Sequence, residues 1–212
     1  MKYQMNQIYN MDCLEAMKDI PDNYFELAIV DPPYGIDINS SGRLGHYGGK
    51  GKKWDNAIPT IEYFKELERI SNKRIVWGGN YFNLGPTKCF LIWDKKQPST
   101  VSFASCEMAW TNFEGVAKTF YLSPMKADKD GRIHPTQKPV ALYKWLLKNY
   151  ANKGDKILDT HLGSGSSIIA CHDLGFEYMA FELDKEYYDK AIERIEEHKS
   201  QISIFDMSGV IR

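Results

Sequence analysis

The sequence is poor in cysteine, has no long uncharged apolar run and carries almost no net charge, and each shortfall removes a class of protein. Cys13, Cys89, Cys106 and Cys171 are the four cysteines among 212 residues. They show neither a Cys-x-x-Cys spacing nor the density of a disulfide scaffold, so buried, reduced thiols are expected. The five histidines give no ligand pattern, because His161 and His172 fall in different expected elements and Cys171 and His172 are adjacent rather than on one helical face. No metal is expected. Met1 to Asn6 contains no apolar core of a signal segment, and nowhere does the chain approach the roughly 18 uncharged residues of a membrane span, so a cytoplasmic protein without membrane contact is expected. A net charge of −1 does not draw polyanions to the whole molecule, and a nucleic-acid surface has to be a local patch.

Two such patches are present. Arg43, Lys50, Lys52 and Lys53 lie together with no acid among them, and Lys118, Lys126, Lys129, Arg132 and Lys138 face only Asp128 and Asp130. The acids concentrate instead between Glu177 and Glu197. Phosphate contacts are therefore expected from Arg43, Lys50, Lys52, Lys53, Lys126 and Arg132.

Leu27-Ala28-Ile29-Val30-Asp31-Pro32-Pro33-Tyr34 is an apolar run of strand length that ends in an acid, two prolines and an aromatic. Each proline lacks an amide hydrogen and pushes the preceding residue toward extended geometry, which puts Asp31 and Pro32 at a strand's carboxyl end with free carbonyls. Ligands bind there in open α/β sheets. A carboxylate, a carbonyl and a flat ring in one stiff turn suit a planar molecule with an amino group, such as a nucleobase. Read alone, the four residues are equally a polar turn after a core strand.

Around this turn the chain reads as alternating strands and helices. Gln7-Ile8-Tyr9 is a short strand, and Cys13 to Ile20 an amphipathic helix stopped by Pro21, with Asp12 either its N-cap or a polar contact to a cofactor. Residues 35–56 are basic, rich in glycine and serine, and too long for a connector, which marks a flexible catalytic loop. Ile61 to Ile70 carries one apolar helical face, and Arg74 to Trp77 is the next strand. Cys89 to Trp93 is apolar throughout and reads as a central strand. Cys106 to Thr111 and Val116 to Tyr121 alternate and suggest an antiparallel pair at the sheet edge. Trp77, Trp93 and Trp110 read as core rather than as base-stacking platforms. Pro139 opens a helix through Val140, Leu142, Trp145 and Leu146.

A second chemical signal follows. Lys156 to Asp159 reads as a strand, His161-Leu162-Gly163-Ser164-Gly165-Ser166-Ser167 leads into the helix Ile168 to Leu174, and a further strand from Glu177 ends at Glu182. The two acids are 23 positions apart, close to the roughly 20-residue offset of an acid that holds ribose hydroxyls. The turn lacks a full Gly-x-Gly-x-x-Gly and has no Gly-Lys-Ser/Thr, which indicates a ligand with adenosine but no pyrophosphate.

Asp-Pro-Pro-Tyr ahead of Gly-Ser-Gly, with His134-Pro135-Thr136-Gln137-Lys138-Pro139 between them, resembles the beta group of S-adenosylmethionine-dependent DNA amino-methyltransferases over nearly the whole chain. The resemblance implies an α/β Rossmann-like methyltransferase fold: a mostly parallel seven-stranded sheet with one reversed strand and permuted motif order. It implies a single domain over 1–212 with a small target-recognition region at 94–136, S-adenosylmethionine as cofactor and double-stranded DNA as partner, and it suggests a homodimer. Asp-Pro-Pro-Tyr is usual for N6-adenine enzymes and Ser-Pro-Pro-Tyr for N4-cytosine ones. Site-specific methylation of adenine N6 by base flipping is therefore expected, with cytosine N4 or a catalytically idle DNA-binding protein as alternatives. Catalysis is implied for Asp31, Pro32, Pro33 and Tyr34. For the cofactor, the resemblance implies Asp159, Gly163, Ser164, Gly165 and Ser166 around the methionine part, His134 and Lys138 near its carboxylate, Glu182 at the ribose, Asp12 with Cys13 at the adenine, and a contact from Asp31. The chain departs from the family at Thr160-His161, where Pro-Phe is common.

Overall fold

Alternation along the central strands decides the layers. In the computed structural model, which describes residues 2–36, 55–98, 100, 104–124 and 132–207 (the last six as backbone alone), an eight-stranded sheet lies between two helical layers. The strands are β1 (Gln7–Asn10), β2 (Phe25–Val30), β3 (Ser71–Trp77), β4 (Leu91–Asp94), β5 (Cys106–Thr111), β6 (Lys118–Tyr121), β7 (Lys156–Asp159) and β8 (Glu177–Glu182). The helices are α1 (Cys13–Met17), α2 (Ile61–Ile70), α3 (Val140–Tyr150), α4 (Ser166–Leu174) and α5 (Lys185–Met207).

Leu27 and Ile29 of β2, Ile75 and Trp77 of β3 and Ile157 of β7 pack with Leu142 and Leu146 of α3, Ile168 and Ile169 of α4, and Ala191 and Ile195 of α5. Their alternates Ala28, Val30, Val76 and Leu158 pack with Ala16 and Met17 of α1 and Tyr63, Leu67 and Ile70 of α2. Burial on both faces is why these strands read as nearly unbroken apolar runs.

The lateral order is β1-β8-β7-β2-β3-β5-β4-β6. Every neighbouring pair is parallel except the two made by β5, which runs against both β3 and β4. The expected mostly parallel sheet with one reversed strand is present, with eight strands in place of seven. The expected edge hairpin is not: β4 lies between β5 and β6. Alternation identifies both strands, but Leu91 and Trp93 of β4 are 0% and 2% exposed, and an apolar strand buries more between two partners than at an edge. Trp77 and Trp93 are core, and Trp110 is half-buried with its indole N–H on the Gly85 carbonyl.

Helix ends follow their sequence signals. The Asp12 carboxylate caps α1 by accepting from the Leu14 amide at 2.8 Å, and the Thr60 hydroxyl caps α2. All four cysteines are free. Among the described residues no helix is long and apolar enough to cross a membrane, and no group of three His, Cys, Asp or Glu side chains could hold a metal ion.

The layering also positions the site. After β2 the chain goes to α2 on one face, and after the adjacent β7 it goes to α4 on the other. Neighbouring strands whose connections leave on opposite faces open a crevice at their carboxyl ends. Asp31 follows the end of β2, and Asp159 ends β7.

Candidate active site

The crevice is built first from the turn after β2. Asp31 Oδ1 accepts the Tyr34 hydroxyl at 2.6 Å, and Oδ2 accepts the Lys138 ammonium at 2.5 Å. The Tyr34 ring stacks on Tyr81, with centroids 5.0 Å apart and planes 14° from parallel. It also lies against Gly78, where an added Cβ would come within 2.2 Å of the ring and where φ is +69°. Only glycine suits both constraints. The buried Asp55 carboxylate accepts the amides of Tyr34 at 2.7 Å and Gly35 at 3.0 Å, which fixes the turn's backbone.

The glycine turn forms the facing wall. Asp159 accepts the His161 amide at 3.0 Å on Oδ1 and the Ser167 hydroxyl on Oδ2. Glu182 at the end of β8 takes the Gly163 amide on Oε2 and the Asp184 amide on Oε1, each at 2.9 Å. Arg194 of α5 donates to the Ser164 carbonyl at 2.7 Å and the Ser166 hydroxyl at 3.0 Å. Gly165 has φ +76°, and a Cβ there would sit 2.9 Å from Ile195 Cδ1, so α5 packs directly on this turn. The unusual Thr160-His161 pair is accommodated by α2. Thr160 Oγ1 lies 2.7 Å from the Tyr63 hydroxyl and 2.9 Å from His161 Nδ1, and the imidazole meets the Tyr63 ring edge-on at 5.4 Å.

Two adjoining cavities occupy the crevice. The larger, about 690 Å³, is lined by Asp12, Cys13, Asp31, Pro33, His134, Lys138, Gly163, Ser164 and Glu182 among others. The smaller, about 350 Å³, is lined by Pro32, Tyr34, Tyr81, Lys95 and Glu107, and shares Asp31, Pro33, Thr136 and Lys138 with the first. The two sequence motifs thus meet at one hollow. Asp159, Gly165 and Ser166 do not line it, and they shape the turn from within. Arg43, Lys50, Lys52, Lys53 and Lys126 lie outside the described residues, while Arg132 is half-buried in the segment leading to His134.

Charge is concentrated where the cavities meet. Lys138, its side chain 2% exposed, lies between Asp31 and Glu107, with Nζ 2.9 Å from Glu107 Oε2, and Lys95 reaches Glu107 Oε1 at 2.6 Å. Burial alone would raise both acids. At Glu107 it is outweighed by Lys138 and Lys95, which hold the carboxyl at about 2. Asp31, with only a share of one ammonium and Glu107's negative charge nearby, stays above the ordinary carboxylate range. The two carboxylates keep Lys138 protonated despite its burial. Burial pushes Asp159 up to about 7, the Cys13 thiol up to about 12 and His161 down to about 4. Lys95, Glu107, Tyr81, Asp55 and Tyr63 were not marked by the sequence, where they read as unremarkable residues at element ends or on a helix face.

The class is set by the fold. A crystal structure titled an M1.HpyAVI–SAM complex superposes with a TM-score of 0.61 at 21% identity, covering 89% of this chain and 98% of that one. The PvuII DNA methyltransferase, titled cytosine-N4-specific, gives 0.60 at 12% identity, covering 92% of each. This is the fold of DNA methyltransferases. A family model described as DNA methylase, of N6/N4 type, matches residues 76–193. The type II methyltransferase M.HpaI of Haemophilus parainfluenzae is 37% identical over 92% of this chain and 74% of its own length. The chain belongs to the N6/N4 DNA methylase family.

Proposed function

We propose that this DNA methyltransferase transfers a methyl group from S-adenosylmethionine to N6 of adenine in double-stranded DNA, at a base extruded from the duplex. The observation that carries the reading is Asp31, whose carboxylate stands on the wall common to the 690 Å³ and 350 Å³ cavities. Both volumes fall in the range of small-ligand sites.

The residues of the larger cavity fit the cofactor. Glu182, its oxygens oriented by two backbone amides, would take the ribose hydroxyls, Asp12 and Cys13 the adenine, and Gly163, Ser164 and His134 the methionine part. When bound, S-adenosylmethionine would supply a methyl group on a positively charged sulfur: the carbon–sulfur bond would break to leave a neutral thioether as the base nitrogen takes the methyl, and the proton that nitrogen loses would pass to water. Lys138 stands where the two ligands would meet.

The smaller cavity would hold the base. A base must leave the stack to reach it, at a cost of a few kcal/mol, and aromatic stacking contributes about 1–3 kcal/mol per base. Tyr34 and Tyr81 supply the rings. The Asp31 carboxylate and the Pro32 carbonyl would each accept one amino hydrogen and return electron density to a nitrogen whose lone pair is otherwise drawn into the ring. For this, the Tyr34 hydroxyl must release Asp31 Oδ1. Arg43, Lys50, Lys52, Lys53, Lys126 and Arg132 would contact phosphates, making binding salt-sensitive.

Asp-Pro-Pro-Tyr favours adenine over cytosine. Incubation with duplex DNA and methyl-labelled cofactor, followed by digestion to nucleosides, tests this. Label in N6-methyladenine is expected. Label in N4-methylcytosine would overturn the choice of base, and no label at all would overturn the activity.

A further inference from the structure

Glu107 is a half-buried acid that neither sequence motif contains, and it lines the smaller cavity but not the larger. It sits on β5, the reversed strand, opposite Trp93 of β4. That placement brings it to Lys138 at 2.9 Å and Lys95 at 2.6 Å, so four charges alternate in a row: Lys95, Glu107, Lys138, Asp31.

We infer that Glu107 is a positioning residue for methyl transfer: by taking a share of the Lys138 ammonium, it keeps Asp31 an electron-rich acceptor for the target amino group. The inference rests on the proposed role of Asp31. An ammonium paired with one carboxylate alone would concentrate its field there and weaken that carboxylate as a hydrogen-bond acceptor. Glu107 divides the field, and Lys95 neutralises the charge that Glu107 brings in. Lys138 is thereby held on two sides, with its third approach to the Tyr34 hydroxyl at 3.2 Å. Glu107 also adds to the rise of the Asp31 carboxyl that burial begins and Lys138 opposes.

The groups facing Asp31 are Lys138 before α3, Tyr34 in its own turn, Glu107 on β5, Tyr63 on α2, Tyr143 on α3 and Asp159 on β7. The three tyrosines are held well above their ordinary range and stay neutral. Asp159 titrates within the working range and feels Asp31 but not Glu107 directly, so the same pH series is run on Asp159→Asn to assign the limb.

The experiment measures transfer into unmethylated duplex DNA across pH for the wild type, Glu107→Gln, Glu107→Asp and Asp31→Ala, with cofactor affinity and thermal unfolding measured alongside. Glu107→Gln keeps the shape and removes the charge. Its kcat is expected to fall by tenfold or more, in line with the loss of preorganised electrostatics. Cofactor affinity should change less than about twofold, and the acid limb should move to lower pH. Glu107→Asp should restore the limb. A wild-type kcat, or a reduced kcat with an unmoved limb, would overturn the inference and leave Glu107 a structural residue. An active Asp31→Ala would overturn the proposed function and this inference together, whereas an inactive Asp31→Ala beside a wild-type Glu107→Gln would overturn this inference alone.

Discussion

Lys138 Nζ and Asp31 Oδ2, 107 residues apart in the chain, lie 2.5 Å apart at the wall shared by both cavities. The contact joins the segment before α3 to the turn after β2 and leaves one buried cation serving two half-buried acids. Replacing Lys138 by Met strips Asp31 of its cation and leaves Glu107 with Lys95 alone. Breaking a buried ion pair from one side costs about 3–5 kcal/mol, and a loss of that size is expected in urea denaturation. Without the ammonium the Asp31 carboxyl rises further, so the acid limb of any residual activity should move to higher pH, opposite to the shift expected for Glu107→Gln. Unchanged stability would show that the pair does not form in solution.

Gly165→Ala tests the packing of α5 on the glycine turn. The new Cβ meets Ile195 Cδ1 at 2.9 Å, and φ is +76°. A loss of about 1–3 kcal/mol is expected from overpacking and strain together. Trimming Ile195 to Val in the same chain should recover the packing part and not the backbone part, which a double-mutant cycle in urea would separate.

How much of this site the residues announced in advance depends on how local the signal is. The helix Ile61–Ile70 and the turn after Val30 were legible to the residue, because periodicity and proline geometry act over a few positions. The glycine turn was legible as a strand-to-helix connection for the same reason. Strand adjacency was not. β5 and β6 are separated by six residues of chain and yet by a whole strand in space, since β4 competes for both of them. The Lys95–Glu107–Lys138 row depends on that lateral order, so no spacing in the sequence could reveal it. Asp55 had no signal, being one of two acids in a basic segment, and its two backbone contacts are tertiary.

Acid stability should change character when His161 is replaced by Gln. Burial lowers the folded pKa of His161 to about 4 from 6.5, so its contribution is present above pH 6.5 and is lost as pH falls toward 4. Asp159, two residues away, works in the opposite direction. Its folded pKa is raised to about 7 from 3.8, so its contribution is present below pH 3.8 and is lost as pH rises through 7. At 1.36 kcal/mol per unit each amounts to roughly 3–4 kcal/mol, and in the wild type the two slopes largely cancel. The variant should therefore lose stability between pH 4 and 7 by about 3 kcal/mol more than the wild type. Thermal unfolding in a pH series measures this, and parallel curves would contradict it.

Glu182→Gln tests the ribose contact. A hydrogen bond to a charged group contributes about 1.5–3 kcal/mol, so cofactor affinity should fall by at least tenfold in titration calorimetry. DNA affinity without cofactor should be unaffected. Equal cofactor affinity would remove Glu182 from the site.

The central claim, that one carboxylate faces two ligands across a shared wall, is tested most directly by Asp31→Ala, with S-adenosylmethionine binding measured by calorimetry and methyl transfer by label incorporated into duplex DNA. Transfer should vanish while cofactor affinity stays within a few-fold of the wild type. Transfer at the wild-type rate would contradict the account.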